Sequence, residues 1–305
     1  MPIAYISHND CLSHDVGEDH PEQPDRLHAI QDRLIYSPLN YVIQHHDAPL
    51  ATREDLERVH SREYVDEIFE KAPQEGIVYL DDDTFMMPKT LNAALRAAGA
   101  ALYAVDQVMG NSVKSAFCAA RPPGHHAERD RAMGFCYFNN IAVGAAYAME
   151  KYGLERIAII DFDVHHGNGT EDIFKDDPRV LFCSSFQHPF YPFSGADTER
   201  ENVINIPMTA GTSGEMYRKE VEEKWFDQIE AFEPQLIMLS AGFDGHAEDD
   251  MAHFRLRESD YRWLTERLAQ IAAKTAQGRI VSVLEGGYSM SALGRSVIVH
   301  LDALL

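Results

Sequence analysis

Short runs of apolar residues alternate along the chain with longer stretches in which apolar residues recur every three or four positions. Most of the short runs lack polar–apolar alternation, which is typical of strands buried on both faces, and the longer stretches have the period of helices. We therefore predict a parallel sheet covered by helices on both faces. The predicted strands are 3–6, 115–119, 156–160, 180–183, 203–206, 236–239 and 280–284, and the predicted helices are 91–108, 140–152, 215–232 and 258–276.

The length of the chain, 305 residues with 45% hydrophobic content, suffices for a substantial core. We find no internal repeat, low-complexity tract or Gly/Ser-rich linker along it. We therefore predict one α/β domain over residues 1–305.

The charge is strongly acidic, with 49 acidic and 27 basic residues and a formal net charge of −22. Such a surface repels a phosphate backbone, so nucleic acid is excluded as a partner. Two interpretations of the acidity stay open: it only maintains solubility, or it also attracts cationic substrates.

Four widely spaced cysteines, Cys11, Cys118, Cys136 and Cys183, show no spacing of a zinc ribbon or redox motif. We also find no basic-then-apolar leader and no apolar run near the roughly 18 residues that cross a bilayer. We expect reduced thiols in a cytoplasmic protein without a membrane partner.

Polar clusters follow four of the predicted strands directly, at 121–126, 161–166, 240–244 and 285–288. In an open α/β sheet, ligands bind beyond the carboxyl ends of the strands. We expect the four clusters to converge on one crevice.

The second and third clusters predict a metal site. The period of a strand puts Asp161, Asp163 and His165 on one side, and Asp244 follows another strand among small residues. Asp163, His165 and Asp244 would form a three-ligand set that leaves a coordination position for water, as in catalytic sites. Zinc is the first expectation, with ferrous iron or cobalt as alternatives. A helix cap and a solvated histidine are the competing interpretation of Asp163 and His165.

The first cluster supplies two imidazoles, His125 and His126, after a stiff Pro-Pro-Gly turn. Histidine exchanges protons near neutral pH, and a tandem pair could serve a water nucleophile and a leaving amine. Asp161 and Asn168 are candidates to hold their second nitrogens, and a neutral amide raises basicity less than a carboxylate. Structurally neutral histidines and a turn role for Asn168 are the alternatives.

The last cluster, Glu285-Gly286-Gly287-Tyr288, brings a phenol after two glycines. The hydroxyl of Tyr288 could donate to a carbonyl oxygen that becomes anionic in the reaction. A core or rim aromatic is the alternative role for Tyr288.

Five motifs in order, RPPGHHA, GFCYFNN, DFDVHHGNGT, SAGFD and EGGY, resemble the histone deacetylase and acetylpolyamine amidohydrolase superfamily between His20 and Tyr288. One branch of the superfamily has aspartate at the position of Asn168. The asparagine here resembles the class II branch. The resemblance implies an arginase-like fold with a mostly parallel sheet of about eight strands, and zinc-dependent hydrolysis of N-acetyl-lysine or a related amide.

The resemblance also implies individual roles. His126 would be the general base and then the general acid, His125 an electrostatic partner paired with Asp161, and Tyr288 the group that polarises the carbonyl. Arg26 resembles an arginine of an internal acetate-release channel, although a solvated helix-start arginine is the alternative. The implied substrate-binding residues are Phe135, Tyr191, Gly134, Gly287, Met251 and, at the rim, Asp83; the implied potassium site comprises Asp161, Asp163, His165, Ser184 and Ser185.

Ordinary alternatives apply to these secondary positions as well. Phe135 could be a core residue, Asp83 part of an acidic turn, and the two serines simple polar groups of a strand.

The sequence departs from the family at three positions of the expected tunnel. Tyr191 stands where phenylalanine is usual, Phe193 where glycine is usual, and Met251 where polyamine-specialised relatives carry glutamate. The first two leave the tunnel width and the acyl preference open, and the third disfavours a polyamine substrate.

Three functions therefore compete. The first is deacylation of acyl-lysine in proteins or peptides, and the second is the same chemistry on an acetylpolyamine or another small amide. The third, from another class, is binding of acyl-lysine or metal without catalysis. A dinuclear manganese ureohydrolase is a weaker fourth, because the Asp161–His165 motif supplies ligands for one metal. A homo-oligomer is compatible with each of them.

Overall fold

Strands and helices alternate through most of the chain in the computed structural model, which describes residues 2–17 and 19–305. The strands are β1 (Ile3–Ser7), β2 (Ile43–Asp47), β3 (Val78–Tyr79), β4 (Phe85–Met86), β5 (Ser115–Cys118), β6 (Ile157–Asp161), β7 (Val180–Gln187), β8 (Val203–Met208), β9 (Leu236–Ala241) and β10 (Ile280–Leu284). The helices are α1 (Asp25–Ile35), α2 (Arg53–Leu56), α3 (Arg62–Lys71), α4 (Thr90–Met109), α5 (Asn140–Tyr152), α6 (Asn168–Phe174), α7 (Gly214–Lys224), α8 (Phe226–Phe232), α9 (Glu258–Thr275) and α10 (Met290–Ala303).

Eight strands form one sheet in the order β2-β1-β5-β10-β9-β6-β7-β8, and each neighbouring pair is parallel. Every residue of β5, β6, β7, β9 and β10 is buried. Helices α4 and α5 pack together as one group, and α10 packs against α1 and α9 in another. The predicted α/β fold with a doubly covered parallel sheet is confirmed.

The seven predicted strands are all present, with ends that differ from the prediction by up to four residues. The predicted helix 215–232 is two helices, α7 and α8, that meet at the buried Trp225, whose indole Nε1 donates to the Ile204 carbonyl at 3.3 Å. Strand β2 was not predicted, because Ile43 alone of its five residues is buried and no apolar run marks it.

All four cysteines are free thiols in the structure, and all four are buried. Within the described ranges, none of the helices combines the length and the apolar character that a membrane span requires.

The order of the strands positions the site. β5, β10, β9 and β6 are consecutive in the sheet and parallel, so the polar clusters that follow them lie side by side at one edge. The registers pair Leu284 with Ala241 and Asp161 with Ser240 at this edge. The expectation that the four clusters converge is confirmed.

Candidate active site

Asp163, His165 and Asp244 meet beyond the carboxyl ends of β6 and β9. One potential ligand atom from each lies within 4.8 Å of the others, and all three side chains are buried. The Nδ1 atom of His165 is 3.0 Å from Asp163 Oδ1 and 3.1 Å from Asp244 Oδ2. The structure thus brings together the three residues that the sequence predicts as metal ligands.

Backbone N–H groups orient the two carboxylates. Gly286 donates to Asp163 Oδ2 at 2.8 Å, and Val164 donates to Asp244 Oδ1 at 3.0 Å. Small residues make this approach possible, because a Cβ atom on Gly286 would lie 2.1 Å from Asp244 Oδ2 and one on Gly242 would lie 2.1 Å from Asp163 Oδ2. The backbone that follows β9 and β10 therefore lies in direct contact with the two carboxylates.

The electrostatics of this group favour a cation. Burial alone would lower the pKa of His165, but the two adjacent carboxylates, Asp163 and Asp244, raise that pKa to about 10. Burial and the adjacent charge of Asp163 raise the pKa of Asp244 to about 6. Two buried carboxylates around one imidazole carry excess negative charge, which a divalent ion would neutralise, and Asp244 Oδ2 has no hydrogen-bond partner among the described residues. The residues fit a metal ion with one nitrogen and two oxygen ligands.

The histidine pair stands beside these ligands, with the two rings 4.0 Å apart. His125 Nδ1 is 2.9 Å from Asp161 Oδ2, and His126 Nδ1 is 2.7 Å from Asn168 Oδ1. Asn168 Nδ2 donates to Glu128 Oε1 at 2.8 Å, which turns its amide oxygen toward His126. Because that oxygen can only accept, the proton of neutral His126 is on Nδ1 and its Nε2 atom is an acceptor.

The two imidazoles differ in basicity. Burial opposes protonation of His125, but the charges of Asp161 and Asp163 raise its pKa to about 10. Burial lowers the pKa of His126 well below the ordinary histidine value, and the neighbouring His125 and His165 lower it further. One imidazole is thus suited to remain a cation and the other to accept a proton.

A pocket of about 220 Å³ opens onto this constellation. Its walls are largely aromatic, and His126, His165 and Tyr288 lie among its lining residues. The full lining is Asp83, His126, Gly134, Phe135, His165, Phe190, Tyr191, Met251 and Tyr288.

Most of the implied substrate-binding residues line this pocket. Phe135 packs edge-on against Tyr288 with ring centroids 6.2 Å apart, and Tyr191 packs edge-on against His126 at 5.3 Å. Asp83 accepts the Gly134 N–H at 3.0 Å, so it lies at the pocket rather than in an isolated acidic turn. Gly287 is not in the lining; its carbonyl accepts from Arg26 Nε at 2.7 Å.

Arg26 is fully buried, which rules out the solvated helix-start alternative. Its guanidinium stacks over the ring of Tyr288, 4.8 Å from the centroid, and also donates to the backbone carbonyl of Glu285. Glu22 Oε1 accepts from Arg26 NH1 at 3.0 Å. Arg26 therefore lies behind the pocket, against the turn that carries Tyr288.

The implied potassium site shares Asp163 and His165 with the predicted metal site and adds Asp161, Ser184 and Ser185. Asp161 pairs in register with Ser184 of β7. Ser184 Oγ is buried and has no hydrogen-bond partner within residues 2–17 and 19–305, whereas Ser185 Oγ is 3.0 Å from the hydroxyl of Tyr217. A buried hydroxyl of this kind would gain a partner from a bound cation or water.

Sequence reasoning missed several residues of the site. Phe190 stacks on His165 with centroids 5.7 Å apart and an interplanar angle of 24°, and its adjacency to Tyr191 was the available signal. Glu285 Oε2 accepts the N–H groups of Gly124 at 2.7 Å and His125 at 3.1 Å, and burial raises its pKa to about 7. Its contacts are about 160 residues away in the sequence, so no local pattern identifies them.

Several known proteins are similar to this chain in sequence or in fold. A probable deacetylase of Archaeoglobus fulgidus is 37% identical over 300 residues, covering 95% of this chain and 82% of that protein. The histone deacetylase-like amidohydrolase of Pseudomonas aeruginosa is 37% identical over 277 residues, covering 88% and 73%. The human polyamine deacetylase HDAC10 is 35% identical over 326 residues, covering all of this chain and 48% of that protein, so the chain spans about half of it.

The crystal structure of the HDA15 HD domain matches with a TM-score of 0.93 and 30% identity, covering 100% of this chain and 90% of that chain. The family model described as the histone deacetylase domain matches residues 20–304. The chain therefore belongs to the histone deacetylase domain family.

Proposed function

We propose that the chain is a zinc-dependent amidohydrolase that removes an acetyl or another acyl group from N-acyl-lysine in proteins or peptides. The observation that carries the proposal is that Asp163, His165 and Asp244 meet next to His126 and Tyr288 at one aromatic pocket. A purely structural metal site would not need an acid–base group and a phenol facing it.

Asp163, His165 and Asp244 would hold the ion. Zinc is the first choice for one imidazole and two carboxylates, and ferrous iron and cobalt suit the same ligands. When bound, such an ion supplies Lewis acidity and lowers the pKa of a water molecule.

His126 acts as the general base in this proposal. It is neutral because of its lowered pKa, and Asn168 holds the Nδ1 proton so that Nε2 accepts the proton of the attacking water. The same Nε2 atom then donates that proton to the lysine amine as the C–N bond breaks. His125, kept cationic by Asp161, provides positive charge beside it.

Tyr288 provides the hydrogen-bond donor for the carbonyl oxygen. Burial raises the pKa of its phenol well above the ordinary value, so the hydroxyl keeps its proton at neutral pH. A donor of this kind contributes about 10²- to 10³-fold to kcat in other acyl-transfer sites.

A potassium ion beside the catalytic site belongs to the same proposal, held by Asp161, Asp163, His165, Ser184 and Ser185. The buried Ser184 hydroxyl supports it. The ion would add positive charge behind the metal ligands.

The aromatic walls favour an acyl-lysine side chain, whose four-carbon stem is apolar. Phe135, Phe190 and Tyr191 line the pocket, and Asp83, which also lines it, could accept a backbone N–H of the substrate. Met251 places an apolar group where a cationic polyamine would need a carboxylate.

Deacetylation of an acetylpolyamine is the second candidate. The net charge of −22 favours cationic substrates, and the human relative is named a polyamine deacetylase. The absence of a carboxylate at Met251 ranks it below acyl-lysine.

The test compares kcat/KM on an acetyl-lysine peptide and on acetylputrescine, using metal-reconstituted protein. We expect faster, chelator-sensitive turnover of the peptide that is lost in His126→Ala. Equal or faster turnover of acetylputrescine would reverse the ranking. Tight hydroxamate binding without turnover of either substrate would instead support the non-catalytic alternative.

A further inference from the structure

A buried carboxylate outside the proposed catalytic set joins two sides of the pocket. Asp249, in the segment between β9 and α9, is 5% exposed. Its Oδ2 atom accepts the backbone N–H of Tyr288 at 2.6 Å and that of Ser289 at 2.9 Å, while its Oδ1 atom accepts the N–H of Met251 at 3.0 Å. Tyr288 and Met251 both line the pocket.

Asp249 binds the backbone just before helix α10 begins. Ser289 is the N-cap of α10, but its own side chain makes no capping hydrogen bond. The carboxylate of Asp249, from another segment, accepts the N–H groups of Tyr288 and of the N-cap residue Ser289, and its negative charge lies near the positive end of the helix. Hydrogen bonds from backbone N–H groups to an ionised carboxylate are stronger than those to neutral acceptors. The backbone of Tyr288 is therefore held at the entrance of α10 by a residue 39 positions earlier.

The position of this backbone determines where the phenol points. The preceding turn contains Gly287 at φ +119°, a conformation that glycine adopts without strain. Because glycine has many accessible conformations, this residue does not by itself fix the backbone of Tyr288. A displacement of about 1 Å in a group that acts on the substrate can cost about 10²-fold in rate. Asp249 limits that displacement through its hydrogen bonds to Tyr288 and Ser289, and its hydrogen bond to Met251 holds the pocket wall at that residue.

We propose that Asp249 is a positioning residue. It holds the backbone of Tyr288 so that the hydroxyl reaches the substrate carbonyl, and it links this backbone to that of Met251. This inference rests on the proposed function, since it presupposes that Tyr288 polarises the substrate carbonyl. Asp249 itself is not among the residues that line the pocket.

The test is a double-mutant cycle between Asp249→Asn and Tyr288→Phe. Asparagine keeps the size of aspartate but has one acceptor oxygen where the carboxylate has two. Its amide NH2 group would therefore face at least one backbone N–H, and two donors cannot form a hydrogen bond. We expect Asp249→Asn to lower kcat on an acetyl-lysine peptide by about 10- to 100-fold. In the Tyr288→Phe background the same change should cost less than about threefold, because the hydroxyl that Asp249 positions is gone.

Equal fold-losses in both backgrounds, or an unchanged kcat in Asp249→Asn, would overturn the inference. The proposed function fails separately, when Tyr288→Phe alone leaves kcat at the wild-type value. Asp250→Asn, at the exposed neighbouring position, is the matched control and should retain wild-type kcat. If near-UV circular dichroism shows that Asp249→Asn is unfolded, the same cycle is run with Asp249→Glu, and the same two outcomes decide.

Discussion

The buried charges behind the active site give a quantitative prediction for Glu22→Gln. Glu22 is fully buried, and its carboxylate receives two hydrogen bonds of 2.6 Å from Arg121 and one of 3.0 Å from Arg26. The Nε2 atom of His14 lies 3.4 Å away. Glutamine has nearly the same shape but no charge, so the substitution leaves two buried guanidinium groups without their counterion.

The expected cost follows from that imbalance. Removing one partner of a buried ion pair destabilises a protein by about 3–5 kcal/mol, because the remaining charge stays desolvated. For 305 residues, an unfolding entropy of about 2.1 cal/mol/K per residue gives about 0.64 kcal/mol/K, so the Tm should fall by about 5–8 °C.

The measurement is thermal unfolding by circular dichroism at about pH 7 and a fixed scan rate. The matched control is Asp66→Asn, which breaks the ion pair of Asp66 with Arg53 at a position where both side chains are about half exposed. Exposed pairs contribute about 0–1 kcal/mol, so this control should shift the Tm by less than about 2 °C. Equal small shifts in the two variants would refute the reasoning.

The difference between wild type and Glu22→Gln should also depend on pH. Burial alone would raise the pKa of Glu22, but Arg121, His14 and Arg26 hold it well below the ordinary glutamate value. A lowered pKa in the folded state stabilises the protein above the unfolded-state pKa of about 4.3. This stabilisation declines as the pH falls through that value toward the folded-state pKa. The Tm difference should therefore be full near pH 7 and shrink below about pH 4, whereas a constant difference would contradict the electrostatic cause.

Two further variants test the pocket. Met251→Glu adds a carboxylate to the wall of the pocket. The ratio of kcat/KM on acetylputrescine to kcat/KM on the peptide should rise by about three- to tenfold. An unchanged ratio would show that this wall does not contact the distal amine of the polyamine. Gly195→Ala introduces a Cβ atom 2.5 Å from His166 Nε2 at a residue with φ +85 and should displace the loop that carries Tyr191. We expect a cost of about 1–3 kcal/mol in unfolding free energy together with a higher KM, and wild-type values of both would contradict this.

Strands and site residues could be predicted from the sequence where a single short segment carries the pattern. Strands β6, β9 and β10 are buried on both faces and each has only one polar residue, so they could be predicted together with the polar clusters at their carboxyl ends. The edge strand β2 could not, since four of its five residues remain at least partly exposed and carry no apolar pattern. Two carboxylates and an imidazole at strand ends likewise made the cluster of Asp163, His165 and Asp244 predictable.

The supporting residues could not be predicted because their partners are distant in the chain. Glu285 contacts His125 across 160 positions, and Glu22 contacts Arg121 across 99. Asp249 holds backbone N–H groups, which have no signature in the side-chain sequence. These roles depend on which strands become neighbours in the sheet, and that order is not encoded in any single motif.

The most direct test of the metal site is the metal content of the purified protein, measured by inductively coupled plasma mass spectrometry after zinc reconstitution and desalting. Asp244→Ala removes one carboxylate of the three-residue site, and Asp250→Ala is the control at an exposed position of the same segment. We predict about one zinc per chain in wild type and in Asp250→Ala, and loss of most of the zinc in Asp244→Ala with retained helical circular dichroism. Zinc retained in full by a folded Asp244→Ala, or no zinc in the wild type, would contradict the account.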